Sequence, residues 1–247
     1  MSDLVNIVVY GSAGRMGQAI ARAILESTQA RLSCALVRPG SGLADEPLDR
    51  VFGALPRDVD FSTSLDPDMP CDVLVDFSGP VAFDAALALA VERRSGFVSG
   101  TTGLREEQFA SMHNAARTIP VLWAANFSLG VAMLVRCARR VANALPDWDC
   151  DIVEMHHADK RDAPSGTALT LGETIATARG ARPHYASLRA GDIVGEHSVQ
   201  FTGAGERLEL IHRATNRDIF ARGALEAAAR IAGRGPGRYA LGELLLG

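Results

Sequence analysis

The stretch YGSAGRMGQAI, residues 10–20, limits the possible folds of this chain more than any other. It places Gly11, Gly14 and Gly17 between a strand-like run, NIVVY, and an amphipathic segment that begins at Arg15. Glycines at this spacing allow a tight turn from strand to helix and a close approach of the backbone to a pyrophosphate. The free amides at the helix start favour the anion. Four further alternations of strand-like and helix-like segments follow, so the sequence predicts a Rossmann-type α/β domain around a parallel sheet.

The alternation of segments changes after about residue 127. A helical stretch, residues 129–145, leads to the strand-like CDIVEMHH and to a helix from Ser165 to Gly180. Two runs, EHSVQFT and ERLELIHR, then predict an antiparallel hairpin. The last segment, DIFARGALEAAARIAG, has an apolar helical face that can return to the first domain. We therefore expect a dinucleotide-binding domain of residues 1–127 and 217–247, with an inserted α+β domain of residues 128–216.

Composition excludes several classes of partner. A net charge of −4 without blocks of like charge gives no reason to expect nucleic acid. The four cysteines have no CxxC spacing, and adjacent histidines on a strand chelate poorly, so we expect no metal site. No run approaches the roughly 18 apolar residues of a membrane span, and the start of the chain does not resemble a signal peptide. The sequence therefore predicts a cytoplasmic protein without a membrane partner.

Three loops follow predicted strands, namely DFSGP (76–80), SGTTG (99–103) and AANFS (124–128). In an open parallel sheet, ligands bind beyond the carboxyl ends of the strands, so these loops should line the nicotinamide side of a dinucleotide site. Their small polar residues are also typical of ordinary turns. The second strand ends in Val37 and Arg38, where a carboxylate would bind the ribose hydroxyls of NAD. A guanidinium there favours a 2′-phosphate and thus NADPH, although Arg38 could also be a solvated surface residue.

The segment EMHHADKRDAPSGTA, residues 154–168, concentrates titratable groups beside a possible helix start. His156 and Lys160 could supply a proton donor and a cation for an anionic substrate. Ser165 can cap the following helix, and the amides of Ser165, Gly166 and Thr167 could bind a carboxylate. The alternative is a solvated charged loop whose histidines make ordinary hydrogen bonds.

HHADKRDAPSGTA closely resembles the signature of the dihydrodipicolinate reductase family, also called 4-hydroxy-tetrahydrodipicolinate reductase. GSAGRMG, GTTG, AANFSLGV and RAGDIVGEH look like that family in the same order. The resemblance implies that His156 exchanges a proton, that Lys160 donates one, and that His157, Gly166 and Thr167 contact the carboxylates of a small dicarboxylate substrate. It implies dinucleotide contacts from these residues: Gly11, Ser12, Ala13, Gly14, Arg15, Met16, Gly100, Thr101, Thr102, Ala124, Ala125, Asn126 and Phe127.

The family resemblance also implies an activity and an assembly. The expected reaction is the reduction of 4-hydroxy-tetrahydrodipicolinate to tetrahydrodipicolinate by NADPH or NADH, in lysine and diaminopimelate biosynthesis. The inserted domain would bind the substrate and build the sheet of a homotetramer. Two alternatives stay open: another two-domain dehydrogenase of amino acids or polyols, and a catalytically silent NADP-binding sensor. A silent sensor would be expected to have lost His156 or Lys160, and both are present.

One residue and one connection depart from the family pattern. Many members have an acidic residue where Val37 stands, and its loss beside Arg38 strengthens the expectation of NADPH. The connection between Gly180 and Arg189 is also shorter than usual, which bears on the shape of this predicted loop and on its oligomer contacts.

Overall fold

The computed structural model describes residues 4–53 and 59–245, so residues 1–3, 54–58 and 246–247 of the predicted first domain lie outside the described part. The strands within it are β1 (Val5–Tyr10), β2 (Ala30–Leu36), β3 (Phe61–Ser62), β4 (Val73–Asp76), β5 (Gly96–Ser99), β6 (Pro120–Trp123), β7 (Asp149–His156), β8 (His184–Arg189), β9 (Gly195–Gly203), β10 (Glu206–Ala214) and β11 (Gly237–Tyr239). The helices are α1 (Arg15–Leu25), α2 (Asp49–Phe52), α3 (Phe83–Glu92), α4 (Glu106–Ala115), α5 (Leu129–Ala144), α6 (Gly166–Arg179), α7 (Asp218–Ile231) and α8 (Leu241–Leu244).

The chain forms two compact units, one of Met1–Phe127 with Phe220–Gly247 and one of Ser128–Ile219. The sheet of the first unit has the strand order β11-β6-β5-β4-β1-β2-β3, and every pair is parallel. Its central strands are apolar on both faces, as expected where helices cover both sides, and Ile7, Val8 and Val9 are fully buried. These features confirm the predicted Rossmann-type domain.

The strand order of the first sheet reverses at β1, and ligands of such sheets bind at the carboxyl ends of the strands beside this point. This strand pairs with β2 on one side and with β4 on the other, so the order of the strands reverses there. The loops after β1, β4 and β5 therefore leave the same edge of the sheet. Strands β3 and β11 were not predicted, because two and three residues are too few to show a periodic pattern.

The second unit contains a four-stranded sheet of order β10-β9-β7-β8. Strands β9 and β10 pair antiparallel with Gly203 opposite Glu206, which confirms the predicted hairpin. The connection after Gly180 was expected to be a loop, and this expectation was wrong. Residues His184–Arg189 form β8, which pairs parallel with β7. The sequence HYASLR shows no alternation because β8 is an edge strand and most of its side chains are exposed.

Helices α5 and α6 pack on one face of the second sheet. Their apolar residues recur at helical spacing and join strand residues in one core, whose members include Leu134, Ala138, Ile152, Leu171 and Val199. No helix in the described part of the chain is long and apolar enough to cross a membrane.

Candidate active site

The glycine loop of the first unit is held in a shape that side chains would prevent. Gly11 has a φ of +86°, and a Cβ there would lie 2.7 Å from the Cα of Ser78. A Cβ on Gly17 would lie 2.2 Å from the carbonyl oxygen of Gly11. Both distances are shorter than real Cβ contacts, so the tight turn between β1 and α1 requires glycine at both positions. The loop therefore has the shape of a dinucleotide cradle.

Some residues of this loop are hydrogen-bonded within the protein, and others are exposed. The amides of Gly11 and Ser12 donate to the Leu36 carbonyl at 3.0 and 2.9 Å, and the buried Ser12 hydroxyl donates to the Val9 carbonyl at 2.7 Å. The polar groups of Ser12 are thus already bonded within the protein. Ala13, Gly14 and Arg15 are exposed, and Met16 is half-buried.

The first amide that bonds within α1 belongs to Gln18, which donates to the Gly14 carbonyl at 2.9 Å. The amides of Arg15 and Met16 therefore precede the first intrahelical bond. Such amides at a helix start can bind an anion.

A buried carboxylate connects the ends of β4 and β5 by hydrogen bonds. Asp76, the last residue of β4, is fully buried and accepts from the amide and hydroxyl of Ser78 at 3.0 and 2.6 Å. Its other oxygen accepts from the Ser99 and Thr101 hydroxyls, both at 2.7 Å. The predicted contact residue Thr101 thus uses its hydroxyl to fix the loop. Asp76 was not predicted as a site residue.

The remaining predicted dinucleotide residues also lie at this edge. A Cβ on Gly100 would lie 2.2 Å from the Phe77 ring, and that ring packs against buried Phe127 at a centroid distance of 5.4 Å. Thr102 and Ala125 are exposed, whereas Ala124 and Asn126 are half-buried. Arg38 is exposed just beyond the end of β2, which is the position expected of a ribose-phosphate contact.

In the second unit, the imidazole of His156 is held by a buried carboxylate. Nδ1 of His156 lies 2.5 Å from Oε2 of Glu154, whose side chain is fully buried. Burial raises the pKa of Glu154, but hydrogen bonds from Arg189, Ser187 and His156 outweigh burial and lower this pKa to about 2. Burial lowers the pKa of His156, and Glu154 opposes that effect. Glu154 is therefore ionised, and His156 is neutral at neutral pH.

Arg189 completes the environment of Glu154. Its Nη1 and Nη2 donate to the two carboxylate oxygens at 2.9 and 2.7 Å, and Nη2 also donates to the carbonyl of Asp162 at 2.6 Å. The amide of Ser165 donates to Glu154 at 3.2 Å. One carboxylate thus joins the end of β7, the end of β8 and the start of α6.

The start of α6 is fixed by two side chains. The Ser165 hydroxyl accepts from the Ala168 amide at 3.2 Å, which confirms the predicted cap, and α6 ends at Gly180 in the left-handed conformation. Oγ of Ser165 also lies 3.0 Å from Nε2 of buried His197. Burial and the nearby His156 lower the pKa of His197 to about 4, so this histidine is neutral.

Lys160 lies in the loop between β7 and α6. Its Nζ donates to both carboxylate oxygens of Asp162, at 2.7 and 2.9 Å. His157 follows the last residue of β7, and its carbonyl accepts from the Lys160 amide at 3.2 Å. Gly166 is exposed, with no atom within 4 Å of the position of a Cβ, and Thr167 follows it in the first turn of α6.

The predicted residues therefore form two clusters, one in each unit. The first contains the glycine loop and the strand-end loops, and the second contains His156, Lys160 and the start of α6. Sequence reasoning missed Asp76, Glu154, Arg189 and His197. Glu154 had a local signal, because the alternation of β7 puts it on the same face as Cys150, Ile152 and His156. Asp76 begins the predicted DFSGP loop, and Arg189 and His197 bound the family-like RAGDIVGEH, but neither stretch indicated what these residues contact.

Comparison with known proteins places the chain in a family. The family model described as dihydrodipicolinate reductase, N-terminus, matches residues 5–127, and the model for the C-terminus matches residues 130–245. A 4-hydroxy-tetrahydrodipicolinate reductase of Stenotrophomonas maltophilia (strain R551-3) is 55% identical over 242 residues, covering 98% of each chain.

Two solved structures show the same fold. A dipicolinate-bound dihydrodipicolinate reductase from Paenisporosarcina sp. TG-14 has a TM-score of 0.82 at 22% identity, covering 96% of this chain and 98% of that one. An amine dehydrogenase from Mycobacterium smegmatis has a TM-score of 0.62 at 12% identity, covering 98% and 96%. The fold is thus shared by enzymes of different reactions, and the sequence relationship decides the family. The chain belongs to the dihydrodipicolinate reductase family.

Proposed function

We propose that this chain reduces 4-hydroxy-tetrahydrodipicolinate, after loss of water, to tetrahydrodipicolinate with NADPH. The relative with 55% identity bears the name of this activity and is matched over 98% of its length. The observation that carries the proposal is the arrangement of residues 154–168. There, one buried carboxylate bonds a histidine and the amide at a capped helix start, and the arginine that holds this carboxylate also binds the loop of the lysine.

The glycine loop of the first unit supports dinucleotide binding. A side chain at Gly11 or Gly17 would clash with the backbone of the turn or of the adjacent loop. The amides of Arg15 and Met16 precede the first intrahelical bond. When bound, the reduced nicotinamide supplies the hydride. Arg38, exposed beyond β2, would hold the 2′-phosphate, which favours NADPH, with NADH as the weaker alternative.

The second unit would supply the proton. Reduction of a carbon–nitrogen or carbon–carbon double bond needs a hydride at one atom and a proton at its neighbour. Nδ1 of His156 is bonded to Glu154, so Nε2 is the atom that can exchange a proton with a ligand. Lys160 carries a second acidic group, and its only described partner, Asp162, is 58% exposed. We assign proton transfer to these two side chains.

Substrate carboxylates would bind at the start of α6. Ser165 fixes the first turn, and exposed Gly166 has no atom within 4 Å of the position of a Cβ, which leaves room for a carboxylate beside the helix start. Thr167 and His157 would add contacts, as the family resemblance implies. This set of donors suits a small dicarboxylate.

A homotetramer is supported by one face of the second sheet. Helices α5 and α6 cover the opposite face, whereas Leu188 and Ile211 are 50% and 42% exposed. Leu188 pairs with half-buried Met155, so two apolar side chains lie side by side on β8 and β7. The same face also carries the charged pair Glu196 and Arg213, so an assembly that covers it would bury apolar and charged side chains together.

A coupled assay tests the proposed reaction. The upstream synthase, supplied with pyruvate and aspartate semialdehyde, generates the substrate in the cuvette, and oxidation of NADPH is followed. We expect NADPH to be consumed only when the synthase and both its substrates are present. Consumption with amino acids or polyols instead would show that the chain is a different dehydrogenase.

A further inference from the structure

Glu154 is the one fully buried carboxylate of the described second unit, and the proposed chemistry does not use it directly. We infer that Glu154, held by Arg189, is the positioning residue of His156, fixing a proton on Nδ1 and leaving Nε2 to exchange a proton with the substrate. This inference rests on the proposed reduction. It extends that proposal to residues outside the HHADKRDAPSGTA signature.

The tautomer of His156 follows from the chemistry of its partner. An ionised carboxylate only accepts hydrogen bonds, so Nδ1, 2.5 Å from Oε2 of Glu154, must carry the hydrogen. No described residue hydrogen-bonds Nε2 of His156, and Nε2 is not among the buried unpaired atoms of the described residues. The carboxylate thus orients the ring so that Nε2 makes no hydrogen bond within the described residues and can bind a ligand.

Arg189 keeps the carboxylate ionised and in place. Its two hydrogen bonds to Glu154 are parallel and bidentate, which fixes the plane of the carboxylate as well as its position. The guanidinium compensates a charge whose burial would otherwise be costly. Because Nη2 also binds the Asp162 carbonyl, the same arginine anchors the loop that carries Lys160. Arg189 therefore links the two side chains assigned to proton transfer.

Charged and titratable groups face His156 from each neighbouring element. Glu154 lies on the same strand, Arg189 on β8, and His197 on β9 with ring centroids 5.2 Å apart. Lys160 lies in the following loop. Burial lowers the pKa of His156, the Glu154 carboxylate raises it, and the cations Lys160 and Arg189 lower it. Neutralising Glu154 therefore removes the only group among these that favours the imidazolium.

Glu154→Gln tests the inference by a measurement that needs no turnover. The His156 resonance is titrated by NMR in the wild-type protein and the variant, and kcat and KM are measured against pH. We expect the pKa of His156 to fall in the variant, the pH profile of kcat to move in the same direction, and kcat to decrease about ten- to a hundredfold. KM should change much less.

Two further variants complete the test. Glu196→Gln is the matched control, because Glu196 pairs with Arg213 at 2.9 Å and is mostly buried but does not contact His156. It should leave the His156 titration and kcat unchanged. Glu154→Asp retains the charge and should restore much of the His156 pKa, which separates loss of positioning from loss of folding. An unshifted His156 titration in folded Glu154→Gln would overturn the inference. Absence of turnover in the wild-type protein would instead overturn the proposed function.

Discussion

Lys160 and Asp162 form an ion pair in which Nζ donates to both carboxylate oxygens at 2.7 and 2.9 Å. The carboxylate of Asp162 is 58% exposed, and exposed pairs contribute only about 0–1 kcal/mol. The ammonium can therefore leave Asp162 for a substrate at little cost. Asp162 therefore positions the Lys160 ammonium and still allows it to bind a substrate.

Replacing Lys160 by alanine should remove most of the turnover. Loss of a positioned proton donor lowers kcat about a hundredfold or more. The affinity for NADPH, measured by calorimetry, should stay unchanged because the glycine loop is intact. The neighbouring exposed residue gives the control: Arg161→Ala should retain full activity. Undiminished kcat in Lys160→Ala would refute the assigned role.

Replacing Arg38 by alanine should separate the two cofactors. Removal of one charge-assisted hydrogen bond to a phosphate raises KM for NADPH about 10- to 100-fold, whereas KM for NADH should hardly change. Arg31 is an exposed arginine near the other end of β2, and Arg31→Ala serves as the control. Equal changes in KM for both cofactors would argue against a contact with the 2′-phosphate.

Replacing Asp76 by asparagine should destabilise the first unit. The amide cannot accept all four hydrogen bonds from Ser78, Ser99 and Thr101, and the buried donors left unpaired cost about 2–4 kcal/mol. Urea unfolding measures the loss. Asp72→Asn, at an exposed position, should cost no more than about 1 kcal/mol. Equal stability of the two variants would contradict the assigned role of Asp76.

Stability should decrease in mild acid because of His197. Its folded pKa is about 4, below the ordinary value of 6.5, so the unfolded chain binds a proton that the folded chain does not. The free energy of unfolding should thus fall between pH 6.5 and 4, by on the order of 3 kcal/mol from His197. His156 and His212, whose pKa values are also lowered, act in the same direction.

The comparison of wild type with His197→Gln isolates the contribution of His197. Below about pH 4, protonation of Glu154, whose pKa is about 2, adds a further decrease in both proteins. Urea unfolding at several pH values should give a shallower decline from pH 6.5 to 4 in the variant. Parallel curves would show that His197 titrates normally in the folded protein.

Local patterns predicted the features that depend on neighbouring residues in the chain. The glycine loop, the five longer strands of the first sheet, the β9–β10 hairpin and the Ser165 cap all have short-range signals. Arg189 and His197 lie at the two ends of the family-like stretch RAGDIVGEH, but that stretch does not place them beside His156. They reach the site through strand pairing, because His156 lies opposite Arg189 and Glu154 lies opposite His197. The first pairing involves β8, an edge strand without alternation, and the second depends on the alignment of β7 with β9. The polar environment of His156 could therefore be recognised only in the three-dimensional structure.

The proposed hydride transfer can be measured directly with NADPH deuterated at both C4 positions. The synthase-coupled reaction is run to completion, and the tetrahydrodipicolinate formed is analysed by mass spectrometry. We expect a single deuterium at a carbon of the heterocycle with wild-type protein, and almost no labelled product with Lys160→Ala in the same time. Product without deuterium, or no product in the presence of wild-type protein, would contradict the assignment of this chain as the reductase.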